Sequence, residues 1–75
     1  MSKLYSTLEI TKVLEFLGWY FHSQKGSHGK YKNSEGIITI VPMNKKEIPE
    51  GTFSNILRQV KITKKEFISF LEDIK

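Results

Sequence analysis

"WYFHSQKGSHGKYKNSEGIITIVP", residues 19–42, decides the fold. "WYFHSQK" (19–25) is aromatic-rich and has no helical period, so it reads as a strand. Gly26-Ser27 suits a two-residue hairpin turn with glycine first. "HGKYKN" (28–33) alternates and reads as the returning strand. "NSEG" (33–36) is a second turn, in which Gly36 can take a positive φ. "IITIV" (37–41) is a β-branched run bounded by Gly36 and Pro42, a third strand. A three-stranded antiparallel meander is the simplest reading.

Helical patterns flank this stretch. Upstream, Ser6-Thr7-Leu8-Glu9 matches a capping box, with Tyr5 and Ile10 at the positions of a hydrophobic staple. Ile10, Val13, Leu14 and Leu17 make one apolar stripe, and Gly18 stands where helices commonly end. The spacing predicts a helix over 7–17. Downstream, "PMNKKEIPEG" (42–51) reads as a loop. Thr52 is placed to cap a second helix, with Phe53, Ile56, Leu57 and Val60 at i, i+3, i+4, i+7. Thr63 and Glu66 form another capping box, with Ile62 and Phe67 as its staple, and Phe67, Phe70, Leu71 and Ile74 form the last stripe. The final two helices are expected to join at a bend near Lys61. The fold class is therefore α+β, in the order α-β-β-β-α(-α). Helices cover one face of the sheet and leave the other open.

A chain of 75 residues allows one domain, spanning 1–75. Such a domain buries only about 60% of its unfolded surface. Five Phe, three Tyr and one Trp supply large apolar area to this small core. There is no cysteine, which removes a disulfide framework and any Cys-ligated metal. Small extracellular domains usually depend on disulfides, so the expectation is a cytoplasmic protein. No apolar run approaches the roughly 20 residues needed to cross a bilayer. "MSKLYSTLEI" has no apolar signal core and reads as mature protein. The net charge of +4 fits a polyanionic partner, nucleic acid or an acidic protein, and equally fits plain solubility.

With Gly26 and Ser27 at the centre of the turn, Lys25 and His28 are directly opposed and share a face. Alternation then puts Ser23, Lys25, His28, Lys30 and Lys32 on one face. Tyr20, His22, Gln24, Tyr31 and Asn33 fall on the other. Three lysines mark the first face as the solvent face, although the same count places Trp19 and Phe21 there. His22, inside an aromatic strand, is expected to pack against a helix.

An imidazole is both acid and base near neutral pH. A cationic neighbour disfavours a protonated imidazole, so lysines close to His28 would be expected to leave it ready to accept a proton. The same lysines hold an anion, and amides of a Gly-containing turn can point at a phosphate. A base, cations and turn amides at one point meet the needs of RNA phosphodiester cleavage. The base takes the 2′-hydroxyl proton, and cations stabilise the charge of the transition state. No metal or other cofactor is required. A lone histidine in a hairpin is also commonly a tolerated turn residue, and residues 23–31 alone leave both readings open. Lys45-Lys46 reads as a solvated loop that could add phosphate contacts, and Lys64 and Lys65 as surface residues.

The order of a capped helix ending in "LGW", then "QKGSHGKY", "EGIITIVP" and "IPEGTFSNILRQVKITKKEF", resembles the HicA (YcfA-like) toxins of bacterial toxin–antitoxin systems. The likeness runs from about Leu8 to Leu71. Its most specific pieces are Gly26-Ser27-His28 and the block Pro49, Gly51, Thr52, Ile56, Leu57. The resemblance implies a fold like that of double-stranded RNA-binding domains and a ribonuclease that cuts mRNA. It implies that His28 is catalytic. It also implies a HicB-like antitoxin covering the active face, with the free toxin a monomer. Lys25, Gly26, Ser27, Lys30 and Lys32 are then the phosphate-binding set. Two positions depart from the family pattern. Asn44 stands where many members carry a second histidine, so no acid role carries over to it. Gly29 stands where bulkier residues are common, and glycine weakens a strand interior.

Three functions compete. The first is a metal-independent endoribonuclease held by an antitoxin. The second is an RNA-binding module that cuts nothing, as double-stranded RNA-binding domains do. The third is a protein-interaction domain whose basic face binds an acidic partner. The bare sequence favours binding over chemistry, and the resemblance reverses that order.

Overall fold

The computed structural model describes residues 3–74. The elements run α1 (Thr7–Phe16), β1 (Tyr20–Lys25), β2 (His28–Lys32), β3 (Ile38–Pro42), α2 (Glu50–Val60) and α3 (Lys64–Ile74). This is the expected α+β order, with an antiparallel sheet β1-β2-β3.

Local chemistry sets each boundary. The Glu9 N–H donates to Ser6 Oγ at 3.1 Å, and the Ser6 N–H donates back to Glu9 Oε1 at 2.9 Å. Together they satisfy two amides that the first turn of α1 leaves unpaired. Gly18, at φ +95°, lets the chain turn out of the helix into β1. In the second turn, Asn33 Oδ1 accepts from the N–H groups of Glu35 and Ile37 at 3.0 and 2.9 Å. Thr63 and Glu66 repeat the reciprocal cap at the start of α3. Between α2 and α3, Lys61 takes the left-handed conformation at φ +65°, and the expected bend lies there. The start of α2 differs from expectation. The helix begins at Glu50 with Pro49 as its N-cap, and Thr52 lies inside the first turn. Proline's fixed φ suits the entry to a helix, and no side chain caps this one.

Tyr31, Thr39 and Val41 are buried on the helix side of the sheet, where α2 lies against β3. The other face is open. Tyr5, Phe53 and Phe67 form an aromatic cluster with ring centroids 4.9–5.2 Å apart. That cluster ties the segment before α1 to both C-terminal helices. Ile10, Val13, Leu14, Ile48, Ile56 and Leu71 complete the core around it.

The expected faces of β1 need correcting at one point. The register runs Lys25↔His28, Gln24↔Gly29, Ser23↔Lys30, then Phe21↔Tyr31 and Tyr20↔Lys32, with a bulge between Phe21 and Ser23. His22 is the extra residue. A bulge inserts one residue and so inverts the alternation beyond it. Phe21 therefore packs edge-on against Tyr31, ring centroids 5.8 Å apart, and Trp19 is buried. Tyr20 moves to the lysine face. His22 is exposed rather than packed on a helix. Strict alternation sets both aromatics on the lysine face; the bulge turns them to the other side, where Trp19 is buried and Phe21, still 47% exposed, lies against Tyr31.

Candidate nucleic-acid interface

The Gly26-Ser27 turn sets the site. Gly26 has φ +58°, while Ser27 is not among the positive-φ residues. That combination is the glycine-first hairpin turn, whose twist matches the strands it joins. Two bonds hold the loop. Gln24 Nε2 donates to the Gly26 carbonyl at 2.9 Å, and the Met43 N–H donates to the Ser27 carbonyl at 2.7 Å. The second bond fastens the turn to the exit of β3.

Pairing across all three strands lays out rows on the open face. Lys25, His28 and Pro42 form the first, Ser23, Lys30 and Ile40 the second, and Tyr20, Lys32 and Ile38 the third. An open pocket of about 590 Å³ lies over the first two rows, lined by Ser23, Gln24, Lys25, His28, Lys30 and Ile40. The structure thus brings His28 together with Lys25 and Lys30. Lys32 shares their face but stands four residues along β2 from His28, about 13 Å at the rise of a strand. Gly26 and Ser27 lie outside the lining, in the turn that sets the Lys25↔His28 register. Among the described residues the ion pairs are Lys3–Glu9 and Lys64–Glu50, so no carboxylate neutralises Lys25, Lys30 or Lys32.

His28 also lines a second, smaller pocket of about 290 Å³. It opens between β3 and α2, with Ile40, Pro42, Thr52, Asn55 and Gln59 on its walls. Sequence reasoning missed these α2 residues. Their signal was present, since Thr52, Asn55 and Gln59 recur at i, i+3, i+7 along one edge of the apolar stripe. Tyr20, Ile38 and Ile40, each at least 40% exposed, were missed too. Alternation within "IITIV" separates Ile38 and Ile40 from buried Thr39 and Val41.

Other ionisable or polar candidates lie elsewhere. Burial pushes the Tyr31 phenol above its ordinary value, Glu15 adds to the rise, and a hydrogen bond with Thr11 opposes it. Tyr31 is a neutral core residue on the far side of β2. Asn44 is exposed at φ +60° beside Thr7, Leu8 and Thr11, outside both pockets that His28 lines. Gly29 does not leave a gap. A β-carbon there would lie 2.5 Å from Met43 Sδ, so the Met43 side chain fills the space that a larger residue would take. No helix among the described residues is long and apolar enough to cross a membrane.

Comparison with curated proteins gives no match. A family model does match, over residues 9–62, and it is described as the HicA toxin of bacterial toxin–antitoxin systems. The matched stretch holds the sheet, α2, most of α1 and every residue placed at the two pockets that His28 lines. It covers well over half of the chain, and the chain belongs to the HicA toxin family.

Proposed function

We propose that the chain is an endoribonuclease toxin that cuts mRNA in the cytoplasm, with His28 as general base. The observation that carries this reading is the convergence of His28, Lys25 and Lys30 on one open, basic pocket. In the proposed step, His28 accepts the proton of a 2′-hydroxyl. The 2′-oxygen forms a bond to the adjacent phosphorus as the bond to the 5′-oxygen breaks. The products are a 2′,3′-cyclic phosphate and a 5′-hydroxyl. The departing oxygen takes its proton from solvent, which reaches the exposed turn. Lys25 and Lys30 stabilise the added charge on the phosphoryl oxygens. The chemistry invokes no metal.

A HicB-like antitoxin covering the open face would silence such a site, since the same surface must admit the RNA. One observation favours a second reading, an RNA-binding module that cuts nothing. Neither pocket brings a carboxyl group or a second imidazole to His28 to protonate the leaving oxygen. Incubation of the purified chain with RNA separates the two. Cleavage with cyclic phosphate ends supports the first reading, and binding without cleavage establishes the second.

A further inference from the structure

The two pockets at His28 differ in chemistry. The larger carries uncompensated Lys25 and Lys30. The smaller carries no lysine, arginine or carboxylate, and besides His28 its polar groups are one hydroxyl and two carboxamides. A phosphate is drawn to the first and gains little from the second. Hydroxyls and carboxamides offer donors and acceptors in pairs, which is how side chains read the edges of bases. At about 290 Å³ the small pocket lies just under the roughly 300–1,000 Å³ range of drug-sized sites, room enough for a nucleobase. Ile40 and Pro42 give it apolar wall against which a ring can lie.

Gln59 is held in place for such a role. The hydroxyl of Thr39, which is wholly buried, donates to Gln59 Oε1. Its carbonyl end is thereby occupied, and its –NH2 has no partner among the described residues. Asn55 has no side-chain hydrogen bond among the described residues, so both ends of its amide are available. Thr52, Asn55 and Gln59 rise along one side of α2 over about 10 Å, at 1.5 Å per residue.

We infer that the groove between β3 and α2 is a nucleobase subsite. It takes a base next to the scissile phosphate, with Asn55 and Gln59 reading its polar edge while Lys25 and Lys30 hold the phosphate. This rests on the ribonuclease reading, and it makes the toxin selective for sequence at one position beside the cut.

The test has two arms. In the first, the parent chain and its Asn55→Ala, Gln59→Ala and Lys30→Ala variants cut an RNA pool with randomised positions, and the ends are sequenced. The expected result is a preference at one flanking position that falls about tenfold with Asn55→Ala or Gln59→Ala, the usual scale for removing one base-reading side chain. Lys30→Ala should slow all sites alike. A preference unchanged in both α2 variants, or absent from the parent, overturns the subsite. Gln59→Ala removes the partner of buried Thr39. If it unfolds, Asn55→Ala decides this arm. In the second arm, the four nucleoside monophosphates and inorganic phosphate are titrated while the side-chain amide resonances of Asn55 and Gln59 are followed by NMR. Shifts with particular bases and none with phosphate support the subsite, and no shift with any base overturns it. If the parent cuts no RNA, the ribonuclease reading fails, and the titration still decides the subsite.

Discussion

The Met43 side chain occupies the place that the β-carbon of any larger residue at Gly29 would need, with its Sδ 2.5 Å from that point. The two residues lie on the helix side of the sheet, beneath the strand that carries His28, and Met43 takes the space that Gly29 leaves free. Gly29→Val should destabilise the fold by about 1–3 kcal/mol through overpacking. Met43→Ala alone should also destabilise it, because the half-buried thioether no longer packs under β2. The double variant should recover about 0.5–3 kcal/mol relative to the sum of the singles, as expected for residues that touch. Denaturant unfolding of the four proteins checks this, and strict additivity would refute the packing relationship.

Gly26 needs its positive φ. Gly26→Ala should lower stability by about 1–2 kcal/mol, the cost of placing a β-carbon in the left-handed region. Gly26→Asn should be tolerated better, because asparagine visits that region readily. Thermal unfolding ranks the three. Equal stability of the alanine variant with the parent would mean that the turn relaxes to another type, and the Lys25↔His28 register would then be in question.

The lysines should not contribute alike. Replacing Lys25, Lys30 and Lys32 together with alanine should weaken RNA binding and flatten its salt dependence by roughly 0.7 log units of slope for each phosphate no longer neutralised. Lys25→Ala and Lys30→Ala should lower kcat as well as affinity, because both share a pocket with His28. Lys32→Ala should change affinity alone, from its place two rows away. An unchanged slope in the triple variant would remove this face from the RNA site.

Much of this was legible in the sequence because it rests on short-range chemistry. The Ser6–Glu9 and Thr63–Glu66 caps, the Gly26-Ser27 turn and the Lys25↔His28 pairing each depend on residues within a few positions of one another. The bulge at His22 was not legible. Alternation showed only a conflict, with Trp19 and Phe21 counted onto the lysine face, and the place of the extra residue follows from burying Trp19 in the packed core. The compensation at Gly29 was hidden for a similar reason, since Met43 reaches it from the neighbouring strand's exit. The α2 wall of the second pocket was readable as a polar row. Its proximity to His28 depends on how α2 lies against β3, which periodicity does not state.

An antitoxin that silences the chain by occlusion should bury His28, Lys25 and Lys30. Amide exchange or a footprint of the complex should show protection over His28–Lys32 and the Gly26-Ser27 turn. A complex that inhibits cleavage while leaving these residues unprotected would point to inhibition from elsewhere on the molecule.

The most direct measurement compares RNA cleavage by the parent, His28→Ala and His22→Ala, each paired with thermal unfolding. Both histidines are exposed, so neither substitution should change stability by more than about 0.5 kcal/mol. His28→Ala should slow cleavage by about 10²–10⁴, the usual contribution of a positioned general base, while His22→Ala should cut at close to the parent rate. A folded His28→Ala protein that cuts RNA as fast as the parent would contradict the assignment of His28 as the base.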